Sequence, residues 1–230
     1  MKRSRKISQA FSTENGIFIF SSNANEGFYT YCDELDNIVS RKLSKKKGDL
    51  RSISSINLRI SYLITIILCV TAIIISLLTH NFLSGTIFIL TIANPLSSLL
   101  YTILVTNLRQ KRLHGAEHMA INCYNKGLPL TIDDLKKCSR FHFNCGTQKL
   151  FNKIVSRFLV VILISLYGKQ YWLYYVIIFL FLPILLNLIG RILKPLLAIQ
   201  LLTTKKPSNY ELELAIKAVH KFEEFEKSKE

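Results

Sequence analysis

The chain has 230 residues, of which 50 % are hydrophobic and 20 % are charged, with 30 Lys and Arg against 15 Asp and Glu. Its net charge of +15 does not require nucleic acid, because basic residues beside anionic lipid headgroups account for the same excess. The five Cys are an odd number, and Cys69 lies inside an apolar run, which argues against a disulfide-framework protein.

Four apolar runs dominate the sequence and predict transmembrane helices. Their bounds are Leu58–Thr79, Gly85–Leu108, Ile154–Tyr167 and Tyr171–Ile189. A helix needs about 20 mostly apolar residues to cross the hydrocarbon core of a bilayer. The third run is shorter and carries Arg157 near its start, so a buried core helix is its alternative interpretation. The sequence therefore predicts an all-α integral membrane protein with about four transmembrane helices.

The distribution of Lys and Arg predicts the orientation of these helices. The two short connections, His80–Ser84 and Gly168–Gln170, hold one basic residue between them, and the other 29 lie elsewhere in the chain. Basic residues concentrate on the cytoplasmic side of membrane proteins. We therefore expect a multi-pass protein of the bacterial cell membrane, with both termini in the cytoplasm and membrane lipids as partners.

The apolar runs divide the chain into five predicted regions. The first is an N-terminal region with a β-prone candidate hairpin and a basic linker. Two pairs of transmembrane helices then flank a His- and Cys-rich region on the cytoplasmic side, and a cytoplasmic tail follows. The five regions are 1–57, 58–108, 109–153, 154–193 and 194–230.

Local patterns predict further detail in these regions. Gly16–Phe20 and Phe28–Cys32 are β-prone runs on either side of a turn-forming segment, which indicates a hairpin. Asn94 and Pro95 predict a kink in the second transmembrane helix, which we expect to continue straight past Leu108. In the tail, Ser208–Glu211 has the pattern of a capping box before an amphipathic helix that packs on the His- and Cys-rich region.

A short motif in the region 109–153 predicts a metal site. His114, Glu117 and His118 have the order H-x-x-E-H, and their spacing places all three on one face of a helix. In the inverzincin motif of this order, two His bind zinc and the Glu acts as general base. His142 and Cys145 have the spacing of a second ligand pair. The competing interpretation is a polar helix face with incidental histidines.

The same motifs support a family resemblance. The runs from His114 to Tyr124 and from Ser139 to Thr147, with a later L-T-T-K-K-P, resemble the YqhQ-like family of bacterial membrane proteins of unknown function. That family is catalogued as predicted metal-dependent enzymes. The resemblance covers about residues 55–222 and implies the metal site and the membrane topology, but no particular reaction. Residues 1–57 lack the glycine-rich N-terminal region of the relatives.

Two functions follow from this motif. The first is a membrane-embedded zinc-dependent hydrolase, such as a peptidase, with Glu117 as catalytic base and a peptide or membrane protein as substrate. The second is a non-enzymatic scaffold or partner-binding protein with a structural zinc site. A transporter is disfavoured because the apolar runs hold no ionisable residue beyond Arg157 and the flanking Arg59. The sequence gives no indication of oligomeric state. The expected Zn²⁺ ligands are His114, His118, His142 and Cys145.

Overall fold

The computed structural model describes residues 7, 10–20, 26–33, 37–44, 62–74, 77, 92–142, 144–167, 172–189 and 199–228. Most of the predicted basic linker lies outside the described residues, as do both short connections of the apolar runs. The chain forms two compact units. The first comprises Met1–Ser54, Thr106–His142 and Leu201–Glu230, and the second comprises Ser55–Val105 and Phe143–Gln200.

The first unit contains a four-stranded antiparallel sheet in which the strands pair in sequence order. The predicted hairpin is present as the two central strands, with Ile17 opposite Thr30 and Ile19 opposite Phe28. The expectation of an all-α protein is wrong here, because this unit contains four strands, and the last of them runs into the start of the predicted basic linker, Ser40–Ser55. The strands are β1 (Ala10–Ser12), β2 (Gly16–Phe20), β3 (Glu26–Cys32) and β4 (Ile38–Ser44).

Strand β2 shows how the sheet is buried on both faces. Side chains alternate between the faces of a strand. Ile17 and Ile19 therefore enter the main core, while Phe18 and Phe20 form a separate cluster on the opposite face. The ring of Phe18 stacks on that of Tyr29, with a distance of 4.2 Å between the ring centroids.

Three helices complete the first unit, namely α1 (Leu108–Asn125), α2 (Ile132–Lys137) and α3 (Asn209–Lys227). The predicted amphipathic tail helix is α3, and the backbone N–H of Ser208 donates to Glu211 Oε2 over 2.7 Å, as expected for a capping box. Its buried face packs on α1, where Phe222 meets the ring of Tyr124 edge-on. Helix α1 thereby becomes the central helix of this unit.

The start of α1 corrects one sequence prediction. Asn107 has an extended conformation, with φ −72° and ψ 168°, and its side chain accepts a hydrogen bond from the backbone N–H of Gln110. Asn is one of the best residues at this capping position. The second apolar run therefore does not continue straight into α1, because a new helix begins after Asn107.

The described residues of the second unit are helical over 62–74 and form four further helices, the last of which ends in the first unit. They are α4 (Asn94–Leu100), which leads into a π-helix over Tyr101–Val105, α5 (Gly146–Tyr167), α6 (Trp172–Ile189) and α7 (Ile199–Thr203). A small core of this unit is formed by Ile92, Leu99 and Ile154. Helix α7 carries the chain back into the first unit.

The helices of the described part of the chain contradict the predicted membrane topology. None of them combines the length and the apolar character that a membrane crossing requires. The end of the second apolar run is divided between α4 and a π-helix. Helix α5 carries Lys149, Lys153 and Arg157 among its first twelve residues, and α6 contains Pro183. The prediction of an all-α multi-pass protein of the bacterial cell membrane with cytoplasmic termini is therefore wrong.

After α7 the chain crosses α1 at Gly115, over a segment that we call the strap (residues 203–207). The backbone N–H of Lys205 donates to the carbonyl oxygen of Lys111 over 2.9 Å. A Cβ atom on Gly115 would collide with the carbonyl oxygen of Lys205. Glycine is required here because only a residue without a side chain lets the strap approach α1 this closely.

We expect Gly115→Ala to lower the free energy of unfolding by about 1–3 kcal/mol, since the added methyl group overpacks a backbone contact. Amide hydrogen exchange at Lys205 should become faster, because the strap is displaced from Lys111. Gly146→Ala is the matched control, since a Cβ there meets no atom within 4 Å and should not destabilise the protein. Equal stability of both variants would contradict the tight crossing at Gly115.

Candidate metal centre

The H-x-x-E-H motif lies in the middle of α1, and the helix brings its three polar side chains to one face as the spacing predicts. The ring centroids of His114 and His118 are 4.4 Å apart. His118 and Glu117 are buried, with exposed fractions of 1 % and 4 %, and His114 is half-buried. A polar helix face directed at solvent does not fit this degree of burial, so the interpretation as incidental surface histidines loses its basis.

Backbone carbonyl groups hold the rings of both histidines. Nδ1 of His114 lies 3.1 Å from the carbonyl oxygen of Thr203, and Nδ1 of His118 lies 2.7 Å from that of Arg140. Because a carbonyl oxygen can only accept, Nδ1 must carry the proton in each ring. The neutral imidazole then has its lone pair on Nε2. Histidines that bind metals are commonly held in this way, with the remaining ring N–H donating to a carbonyl or carboxylate.

The segment Ser139–His142 reaches this face after α2. Helix α2 is capped by Thr131, whose hydroxyl accepts from the backbone N–H of Asp134, and it ends at Lys137. The residues that follow run beside α1 without helical structure and bring the buried His142 to 5.7 Å from His118, measured between ring centroids.

Three of the four predicted ligands form a group of potential metal-binding atoms. The ligand atoms of His114, His118 and Cys145 all lie within 4.8 Å of one another. Two ligands of a tetrahedral zinc ion, at about 2.0–2.3 Å from it, are about 3.5 Å apart, so binding would require shifts of only about 1 Å. Two imidazole nitrogens and a thiolate are also ligands that zinc prefers. The residues present therefore fit a metal ion.

The two remaining predicted residues lie outside this group of ligand atoms. Glu117 is buried on the same helix face but does not belong to the group. His142 is close to His118, yet its Nδ1 lies 2.8 Å from Oδ1 of Asn122. The structure thus places His142 beside the three ligands and not among them.

Sequence reasoning missed the groups that orient the rings. Every residue has a backbone carbonyl group, so the side chains of Arg140 and Thr203 could not have indicated that their carbonyl groups orient the rings. Asn122 left a signal, because it follows His118 by four residues and residues at this spacing lie on the same face of a helix. Cys123, by contrast, is structural, since it is buried and its thiol donates to the carbonyl oxygen of Pro129.

Comparisons with known proteins agree with the resemblance of the sequence motifs. A family model described as "Protein of unknown function (DUF1385)" matches residues 15–224. The "Uncharacterized protein YqhQ" of Bacillus subtilis (strain 168) is 31 % identical over an alignment of 121 residues. The match covers 46 % of this chain and 37 % of the relative. The match thus spans well under half of that relative's length. No solved structure matches the chain.

These comparisons assign a family but no chemistry. The descriptions of the family and of the relative name neither a reaction nor a metal, so they do not support the predicted activity of a hydrolase or metalloprotease. The prediction of a membrane protein with transmembrane helices is contradicted by the described helices. Because the family model covers all but the first 14 and the last six residues, the chain belongs to the DUF1385 family of proteins of unknown function.

Proposed function

We propose that this protein is a zinc-dependent hydrolase whose metal ligands are His114, His118 and Cys145. The proposal rests on one observation, namely that the ligand atoms of these three residues lie within 4.8 Å of one another. The two carbonyl groups that hold the histidine rings support it, because each leaves Nε2 as the nitrogen able to bind a metal.

Among the described residues the group has three potential ligands, and this number favours a catalytic centre over a structural one. Structural zinc sites use four protein ligands, whereas catalytic sites use three and keep one position open. When bound, a zinc ion would supply Lewis acidity and would lower the pKa of water at that open position. The chain must then supply a base, a buried environment and contacts for a substrate.

Glu117 is our candidate for the base. It precedes His118 directly, is 4 % exposed, and lies outside the group of ligand atoms. Its carboxylate would accept the proton of the attacking water and later donate it to the leaving group. Proton transfer by a positioned side chain contributes about 10²–10⁴-fold to catalysis.

Metal analysis tests the ligands. Purified protein that is loaded with zinc and then dialysed should hold about one zinc per chain, and the double variant His114→Ala, His118→Ala should hold almost none. His220→Ala is the matched control, because His220 is an exposed histidine of α3 that pairs with Glu223. Zinc retained by the double variant, or absent from the wild type, would exclude this set of ligands.

Substitution of Glu117 tests the reaction. Hydrolysis of p-nitrophenyl acetate by the zinc-loaded protein should fall about 10²–10⁴-fold in Glu117→Gln while the zinc content stays unchanged. Glu226→Gln is the matched control, since Glu226 is also a buried carboxylate but belongs to α3. Loss of zinc would make Glu117 a ligand, and unchanged turnover would remove it as the base.

A structural zinc site with four ligands is the second candidate, and His142 is the observation that favours it. This residue is 6 % exposed and its ring lies 5.7 Å from that of His118. A modest shift of the segment Ser139–His142 would bring a third imidazole to the ion and close the coordination sphere. Such a centre would have no position for water.

X-ray absorption at the zinc edge separates the two candidates. The hydrolase predicts two nitrogen ligands, one sulfur ligand and one exchangeable oxygen ligand, and His142→Ala should retain stoichiometric zinc. The structural site predicts three nitrogen ligands and one sulfur ligand without oxygen. In that case His142→Ala should lose zinc to a weak chelator, and the segment Ser139–His142 should unfold as the metal leaves.

A further inference from the structure

Asn122 lies one helical turn after His118 on α1, and its amide group makes three hydrogen bonds to the segment Ser139–His142. Nδ2 donates to the carbonyl oxygen of Ser139 over 2.7 Å and to that of Phe141 over 2.9 Å. Oδ1 lies 2.8 Å from Nδ1 of His142. Since His118 bonds to the carbonyl oxygen of Arg140, three successive carbonyl groups of this segment are held by side chains of α1.

These contacts determine where the proton of His142 sits. Carbonyl oxygens only accept, so the atom of Asn122 that faces Ser139 and Phe141 must be the amide nitrogen. The other atom, Oδ1, is then an acceptor, and Nδ1 of His142 must donate to it. A neutral imidazole with the proton on Nδ1 has its lone pair on Nε2. All three histidines around the centre thus have the same tautomer.

We propose that Asn122 is a positioning residue that fixes His142 in this tautomer and thereby makes Nε2 the working nitrogen of His142. The role of His142 itself rests on the proposed function, which leaves one position of the metal centre open. At that position, Nε2 of His142 would accept a hydrogen bond from water or substrate. In this role Asn122 acts through His142, to which it is hydrogen-bonded.

The chemistry of the amide explains why this position needs Asn. The side chain must donate to two carbonyl groups and accept from an imidazole N–H at the same time, and one amide group provides both. An Asp at this position keeps the acceptor oxygen but loses both donors. Asn122→Asp therefore keeps the contact that sets the His142 tautomer but removes the two hydrogen bonds that attach the segment to α1.

The tautomer can be measured without metal. In the zinc-free protein labelled with ¹⁵N-histidine, two-bond ¹H–¹⁵N correlations should show His142 protonated on Nδ1. Asn122→Ala should shift His142 toward the Nε2–H form, which predominates in water, while Asn122→Asp should keep the Nδ1–H form. Unchanged signals of His220 would show that each variant is folded. The matched control is Asn125→Ala, because Asn125 is a half-buried residue of α1 whose Oδ1 accepts from the backbone N–H of Ile7.

If His142 keeps the Nδ1–H form in Asn122→Ala, or loses it equally in Asn125→Ala, the role of Asn122 is wrong. If Asn122→Ala fails to fold, Asn122→Asp provides the test. Loss of the Nδ1–H form of His142 in Asn122→Asp would also overturn the proposal. These outcomes do not depend on catalysis. They remain valid even if zinc-loaded protein shows no turnover, a result that would reject the proposed function alone.

A double-mutant cycle tests whether Asn122 acts through His142. Asn122→Ala should lower kcat/KM for p-nitrophenyl acetate about 10- to 100-fold, as substitution of residues that orient metal-site histidines does. The double variant Asn122→Ala, His142→Ala should be no slower than His142→Ala, because the two residues act as one unit. Independent losses that multiply in the double variant would contradict a role through His142.

Discussion

Two backbone carbonyl groups, those of Thr203 and Arg140, hold the histidine rings of α1, and the candidate centre depends on these hydrogen bonds. They come from segments far apart in the sequence. One lies at the start of the strap and the other follows α2, and both lie against the same helix. The glycine between the two histidines has a related role, because it lets the strap approach closely enough for Thr203 to reach His114. The motif HGAEH therefore encodes both potential ligands and the packing that orients them.

The packing of the first unit explains how these segments are held in place. Helix α1 lies against the sheet and against α3, and its apolar side chains share one core with both. Ile17 and Ile19 of the central strand contribute to that core, as do Leu212 and Phe222 of α3. Glu211 caps α3, and its Oε1 lies 3.9 Å from Nη1 of Arg112 on α1. Residues distant in sequence thus stabilise the helix that carries the motif, and the chemistry of the site depends on the fold of the whole unit.

Local patterns in the sequence were sufficient for some of these features. Helical periodicity placed His114, Glu117 and His118 on one face, and β-prone residues identified the two central strands. The capping box at Ser208 was equally readable. In each case the signal lies within a few residues, where backbone geometry fixes which side chains meet. The family was also accessible from the motif.

Other features depended on competition between signals. The apolar runs suggested transmembrane helices, but Asn107, near the end of the second run, caps the start of a new helix. Asn is a helix cap as well as a polar residue. Strand β4 was hidden among Lys and Ser residues that indicated a linker. His142 matched a ligand spacing, yet the position of its ring is set by the contact with Asn122 and by the end of α2 at Lys137. These outcomes depend on tertiary contacts, which spacing alone does not contain.

The central claim is that one ion is held jointly by His114, His118 and Cys145, and the absorption spectrum of the cobalt-substituted protein tests it most directly. Binding of Co²⁺ should produce a thiolate-to-metal charge-transfer band that disappears in Cys145→Ser and persists in Cys123→Ser, where a buried thiol outside the group is replaced. A band that survives in Cys145→Ser, or no band in the wild type, would contradict the account.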